Sequence, residues 1–155
     1  MIVEHHKSSY DLGAIEFKET SAESTGRLVL EAAEALGAAI TPAMATSLFA
    51  AIATDTGWFR FSSVSAATFA ATARLLEAGA NPPETFAALY EQHSFARVQL
   101  QGRIMTGAVL DCDNRLIYSA VSQQDLAETS AETTDTEDVI NRLMSVAGVE
   151  VGLLF

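Results

Sequence analysis

Read as alternation and periodicity, the chain begins with the short apolar run Ile2-Val3, which reads as the end of a buried strand. A polar loop from Lys7 to Gly13 follows, and GAIEF at 13–17 alternates well enough for a second short strand. Thr20-Ser-Ala-Glu23 has the form of a capping box, threonine as N-cap and glutamate at N3. It predicts a helix through GRLVLEAAEALG that Gly37 ends. Thr41-Pro42 repeats the start signal, and AMATSLFAAIA carries apolar residues on nearly every face, which predicts a buried helix. It stops at Thr54-Asp55-Thr56-Gly57, and Trp58, Phe59 and Phe61 form an aromatic cluster expected to pack under that turn.

Ser65 caps a further predicted helix, AATFAATARLLEAGA, closed by Gly79 and by Asn81-Pro82-Pro83. From Glu84 to about Gly107 the pattern predicts one continuous helix, long enough to bridge two lobes. GAVLDCDNRLIYSAV then reads as a β-hairpin turning about Asp113-Asn114. The acidic, Thr-rich stretch from Glu128 to Thr136 reads as a solvated loop. Asp135-Thr136-Glu137-Asp138 opens a helix VINRLMSVAG, and VEVGLLF is a last strand. An apolar strand at each end gives the chain the look of a piece cut from a longer fold.

Composition narrows the function classes. The net charge of -11 argues against duplex DNA bound through a broad basic surface, since phosphate affinity comes mostly from Lys and Arg. A small phosphorylated ligand held through a metal stays open, because the cation would neutralise it. Cys112 is the single cysteine; it excludes an internal disulfide, fits a reducing cytoplasm and, between Asp111 and Asp113, is expected to be inert. No apolar run is long enough for a membrane span and no signal peptide is recognisable, so a cytoplasmic protein without a membrane partner is expected.

The candidate chemistry lies at Glu4-His5-His6 and Asp55. Neutral histidine and carboxylate are ligands for Mn²⁺, Zn²⁺ or Fe, and a strand end can aim adjacent side chains at one point. An acid at a helix C-terminus opposes the helix dipole, a cost that calls for a compensating cation. Either feature alone also has a bland reading, as surface histidines or a turn residue. Arg97, Arg103, Ser8 and Ser9 are weaker candidates for a phosphate site. His93 is expected to pack partly buried, and Trp58 reads as core rather than cleft wall.

Val3-Glu4-His5-His6, followed by Ala53-Thr54-Asp55-Thr56-Gly57-Trp58-Phe59, resembles the DHH phosphoesterase superfamily. The similarity runs on through TSAESTG, LYEQ and DTEDVINRLMSVAGVEV. It is greatest to the exopolyphosphatase-related branch, which contains oligoribonucleases that also dephosphorylate 3′-phosphoadenosine 5′-phosphate. The resemblance implies an α/β fold: the C-terminal half of a DHH catalytic domain over 1–83, a bridging helix over 84–107 and the first half of an α+β DHHA1 substrate domain over 108–155. It implies Mn²⁺ or another divalent metal as cofactor, with His5 and Asp55 as ligands of one ion, Glu4 as a further candidate ligand and His6 as the catalytic residue against the scissile phosphate. Glu4 stands where the family has aspartate.

The family's upstream His and Asp-x-Asp motif, a further upstream aspartate and the C-terminal glycine-rich motif have no counterpart in the sequence. The implied parent activity is Mn²⁺-dependent hydrolysis of short RNA or nucleoside 3′,5′-bisphosphates. The alternatives are a remnant that folds without turnover, with homo-oligomer formation through exposed strand edges, and a chain completed by a second polypeptide.

Overall fold

A computed structural model describes residues 1–7 and 13–155, and the chain divides into two compact units, Met1–Glu91 and Gln92–Phe155. The fold is mixed α/β, with short strands and several helices.

In the first unit, β1 (Ile2–Glu4) pairs in parallel with β2 (Glu16–Lys18), Val3 opposite Phe17. Both strands are only part-buried or exposed, unlike the buried strand expected at Ile2-Val3. The polar loop expected after Lys7, with Ser8 and Ser9, lies outside the described residues. Helix α1 (Thr25–Ala35) starts later than the Thr20 capping box predicts. Ser24 is its N-cap, accepting from Arg27 N, while Glu23 pairs with the Arg27 side chain at 3.2 Å. A hydroxyl immediately before the helix meets the orphan N–H groups better than one a turn earlier.

Helix α2 (Pro42–Asp55) is capped by Thr41, as its Thr-Pro start predicts. It buries Ala45, Phe49, Ile52 and Ala53 along one stripe, not the whole circumference; Met44 on the other side is exposed. Gly26 of α1 is where the two helices approach: a Cβ there would lie 2.7 Å from Ala51 Cβ. Helix α3 (Ala66–Glu77) opens with a reciprocal Ser65–Thr68 capping box. With Leu30, Ala71, Leu75 and Ala80, the α2 stripe forms one continuous core.

The single helix expected from Glu84 to Gly107 is two. Helix α4 (Pro82–Tyr90) ends the first unit, and helix α5 (Phe95–Thr106) is started afresh by Ser94, whose Oγ accepts from Arg97 N. Ser94 supplies a new N-cap inside a helical pattern, and capping chemistry overrides periodicity there. His93, in the break, is exposed rather than packed.

In the second unit, β3 (Val109–Asp111) and β4 (Leu116–Ser119) form the predicted antiparallel hairpin. Cys112, Asp113 and Asn114 turn it, all with φ between 52° and 65°. β5 (Val151–Leu154) adds to β4 in parallel. Helix α6 (Gln123–Thr129) forms where no helix was expected, on a Ser122–Asp125 capping box, so the stretch expected as a loop from Glu128 begins inside it. The helix expected from Asp135 onward is a 3₁₀ turn (Thr133–Thr136) followed by the short α7 (Val139–Leu143). Asp138 precedes α7 in a left-handed conformation without capping it. Leu100 and Ile104 of α5 meet Ile117, Val139 and Leu143 in this unit's core. No helix among the described residues is long and apolar enough to cross a membrane.

Candidate metal centre

Glu4 ends β1, and the two histidines leave the strand immediately after it. Its carboxylate folds back on the chain: Oε1 accepts from His5 N at 2.7 Å, from His6 N at 2.8 Å and lies 2.6 Å from His6 Nδ1. These bonds, the His6 backbone N–H first, then the His6 ring, then the His5 backbone, favour the ionised carboxylate and lower its pKa from 4.5 to about 2. With Nδ1 engaged, the His6 ring is held by one edge and its Nε2 is left for another partner. One donor atom each from Glu4, His5 and His6 lie within 4.8 Å of one another. Among the described residues this is the one such group.

The fourth candidate arrives from a different element. Asp55 is the last residue of α2, and its Oδ2 lies 3.6 Å from His5 Nε2; the His5 side chain is largely buried. That separation is too long for a hydrogen bond. It is close to the spacing of two atoms bound to one cation, which at about 2.1 Å from the metal stand roughly 3–3.5 Å apart. The last turn of α2 holds no basic residue, so nothing on the helix offsets the carboxylate at the negative end of its dipole.

The turn after Asp55 is tightly built. Trp58 N donates to Ala53 O at 2.6 Å and Gly57 N to Thr54 O at 3.0 Å, the Schellman arrangement that satisfies the last carbonyls of a helix. Thr56 is fully buried; its hydroxyl donates to Ile52 O at 2.7 Å and accepts from Phe59 N at 3.2 Å. Gly57, Trp58 and Phe59 follow one another in the left-handed region, at φ 55°, 56° and 62°. For the two aromatic residues this costs about 1–2 kcal/mol each. Ring packing offsets the strain: Trp58 and Phe59 both lie against Phe49, and Phe59 stacks on Phe69 at 5.4 Å. Trp58 is half-buried, as the core expectation has it in part, but its buried Nε1 has no hydrogen-bond partner.

The arginines considered for a phosphate site are engaged within the second unit. Arg97 donates to Glu137 O at 3.0 Å, and Arg103 lies 2.6 Å from Glu128 and 3.4 Å from Asp125. Two carboxylates already neutralise Arg103, whereas the buried Nε of Arg97 has no hydrogen-bond partner. Thr56 and the bonding of Glu4 to the His5 and His6 backbone are the features that spacing could not reveal. The Thr-Gly pair after an apolar helix was the available signal for the first.

No protein-family model matches the chain. Among solved structures it is similar to an exopolyphosphatase-related protein from Bacteroides fragilis, with a TM-score of 0.88 and 21% sequence identity. The match covers 95% of this chain and 44% of that one. The chain therefore shares the fold of an exopolyphosphatase-related protein while spanning less than half of its length.

Proposed function

We propose that His5, Asp55 and Glu4 hold a divalent cation, Mn²⁺ by preference, in a phosphoesterase of the DHH type, and that His6 addresses the scissile phosphate. The observation that carries this reading is the convergence of Asp55, at the end of α2, on His5, beyond β1, at ligand spacing and with no basic residue in the last turn of α2. Two carboxylates beside an imidazole suit Mn²⁺ or a similar divalent cation. Once bound, the cation supplies a Lewis acid and a water of lowered pKa. Glu4 holds the His6 ring through Nδ1 and so leaves Nε2 as the nitrogen for a phosphate oxygen. The Glu4–His6 pair thus orients the catalytic residue, while Glu4's second oxygen stays available as a donor. The substrate class is short RNA or a nucleoside 3′,5′-bisphosphate.

A second reading has its own support: the described residues bring together donors for one cation, whereas phosphoester hydrolysis of this type uses two. In that reading the chain folds and binds metal but does not turn over. The β1–β2 pair, two-stranded among the described residues and with Phe17 exposed, would then favour self-association. The deciding experiment is hydrolysis of a diribonucleotide and of 3′-phosphoadenosine 5′-phosphate with Mn²⁺, beside His5→Ala. Turnover lost in the variant supports the enzyme; no difference between the two leaves the second reading.

A further inference from the structure

We infer that Thr56 is a positioning residue for Asp55: its buried hydroxyl locks the left-handed Gly57–Trp58–Phe59 turn that stops α2 one residue after the carboxylate and keeps Asp55 facing His5. The inference rests on the reading of Asp55 as a cation ligand. A single hydroxyl joins the two halves of this device. It donates back into the helix at Ile52 O and accepts from Phe59 N in the turn, with no exposure to water. Three unfavourable features meet at the same place: left-handed Trp58, left-handed Phe59 and an unpartnered buried indole N–H. A helix can end on a glycine without any of them. Strain of this kind persists where the surroundings over-determine it, and it collects at functional sites. Here its product is a helix that ends at Asp55 and places that carboxylate 3.6 Å from His5 Nε2.

The test compares Thr56→Val, which keeps the shape and removes the hydroxyl, with Thr56→Ser, which restores it. Mn²⁺ affinity is read by electron paramagnetic resonance of the free ion, thermal unfolding is read alongside, and the metal-free variants are crystallised. The expected result is affinity weakened about tenfold in Thr56→Val and restored in Thr56→Ser. Leu100→Ala, a fully buried core change in the second unit, should lower the melting temperature and leave affinity unchanged. If Thr56→Val loses stability but binds Mn²⁺ as the parent does, the positioning role is overturned while the metal site stands. If the parent chain binds no Mn²⁺, the reading of the site fails. The positioning role is then decided by crystals: a His5–Asp55 separation that widens in Thr56→Val but not in Thr56→Ser supports it, and an unchanged separation overturns it. Should Thr56→Val not fold, Gly57→Ala, which strains the same turn at φ 55°, is read in its place by the same criteria.

Discussion

The two units treat their polar side chains differently. In the first, the helical core of Phe49, Ile52 and Leu75 supports an imidazole and a carboxylate that approach without a hydrogen bond, beside a strained turn. In the second, most polar groups near the core are paired off, the buried Nε of Arg97 being the exception. Gln101 donates to the carbonyls of Asp135 and Glu137, Arg97 to Glu137 O, and the buried Ser119 hydroxyl to Ile104 O at 2.7 Å. Unpaired ligand atoms at close range cost stability, and satisfied ones contribute to it. The contrast separates a region shaped to receive something from one shaped to hold itself together.

The sharpest way to break this comparison is at the ligands. His5→Ala or Asp55→Ala should weaken Mn²⁺ binding by more than the roughly 10–100-fold typical of supporting residues, as measured by paramagnetic resonance, with helix content unchanged by circular dichroism. Retained affinity in both variants would remove the site. Next come the cores: Phe49→Ala should cost about 3–5 kcal/mol and Leu100→Ala about 2–5 kcal/mol in urea unfolding. Only Phe49→Ala should also weaken Mn²⁺ binding, because Phe49 underlies the Trp58–Phe59 turn.

Smaller effects are expected at two packing points. Gly26→Ala should destabilise by about 1–3 kcal/mol, since its methyl would press on Ala51 at the α1–α2 approach. Arg97→Ala should cost about 0.5–1.5 kcal/mol without touching Mn²⁺ affinity, since Gln101 still donates to the carbonyl of Glu137. The smallest is a pH effect. The folded-state pKa of Glu4 lies below its unfolded value, so its contribution is complete above pH 4.5 and is lost as pH falls toward about 2. A side-chain carboxyl carbon titration by nuclear magnetic resonance should place the Glu4 midpoint near 2. Glu4→Gln should remove that part of the acid dependence.

Helix starts were legible where a hydroxyl stood directly before the helix, as at Thr41 and Ser65, because an N-cap is a local bond between neighbours in sequence. The same chemistry was misplaced at Thr20 and unrecognised at Ser94 and Ser122, where several hydroxyls or an unbroken apolar pattern compete for the role. Periodicity overstated the burial of α2, since alanine on an exposed face reads as apolar without being core. His5 and Asp55 were legible as donor types, and the histidine pair and the terminal acid each carried a chemical oddity of their own.

What the sequence by itself determined is therefore local: most helix and strand positions, the hairpin, the donor residues and the Schellman glycine after Asp55, all set by interactions among near neighbours. Tertiary structure alone decided that Asp55 meets His5 at 3.6 Å, that the guanidinium of Arg97 reaches the carbonyl of Glu137 and that Thr56 is sealed from water. Those outcomes depend on contacts between elements, such as the Gly26–Ala51 approach of α1 and α2, and on the burial of Phe49 beneath a strained turn. Periodicity names the face a residue occupies; only packing sets what that face meets.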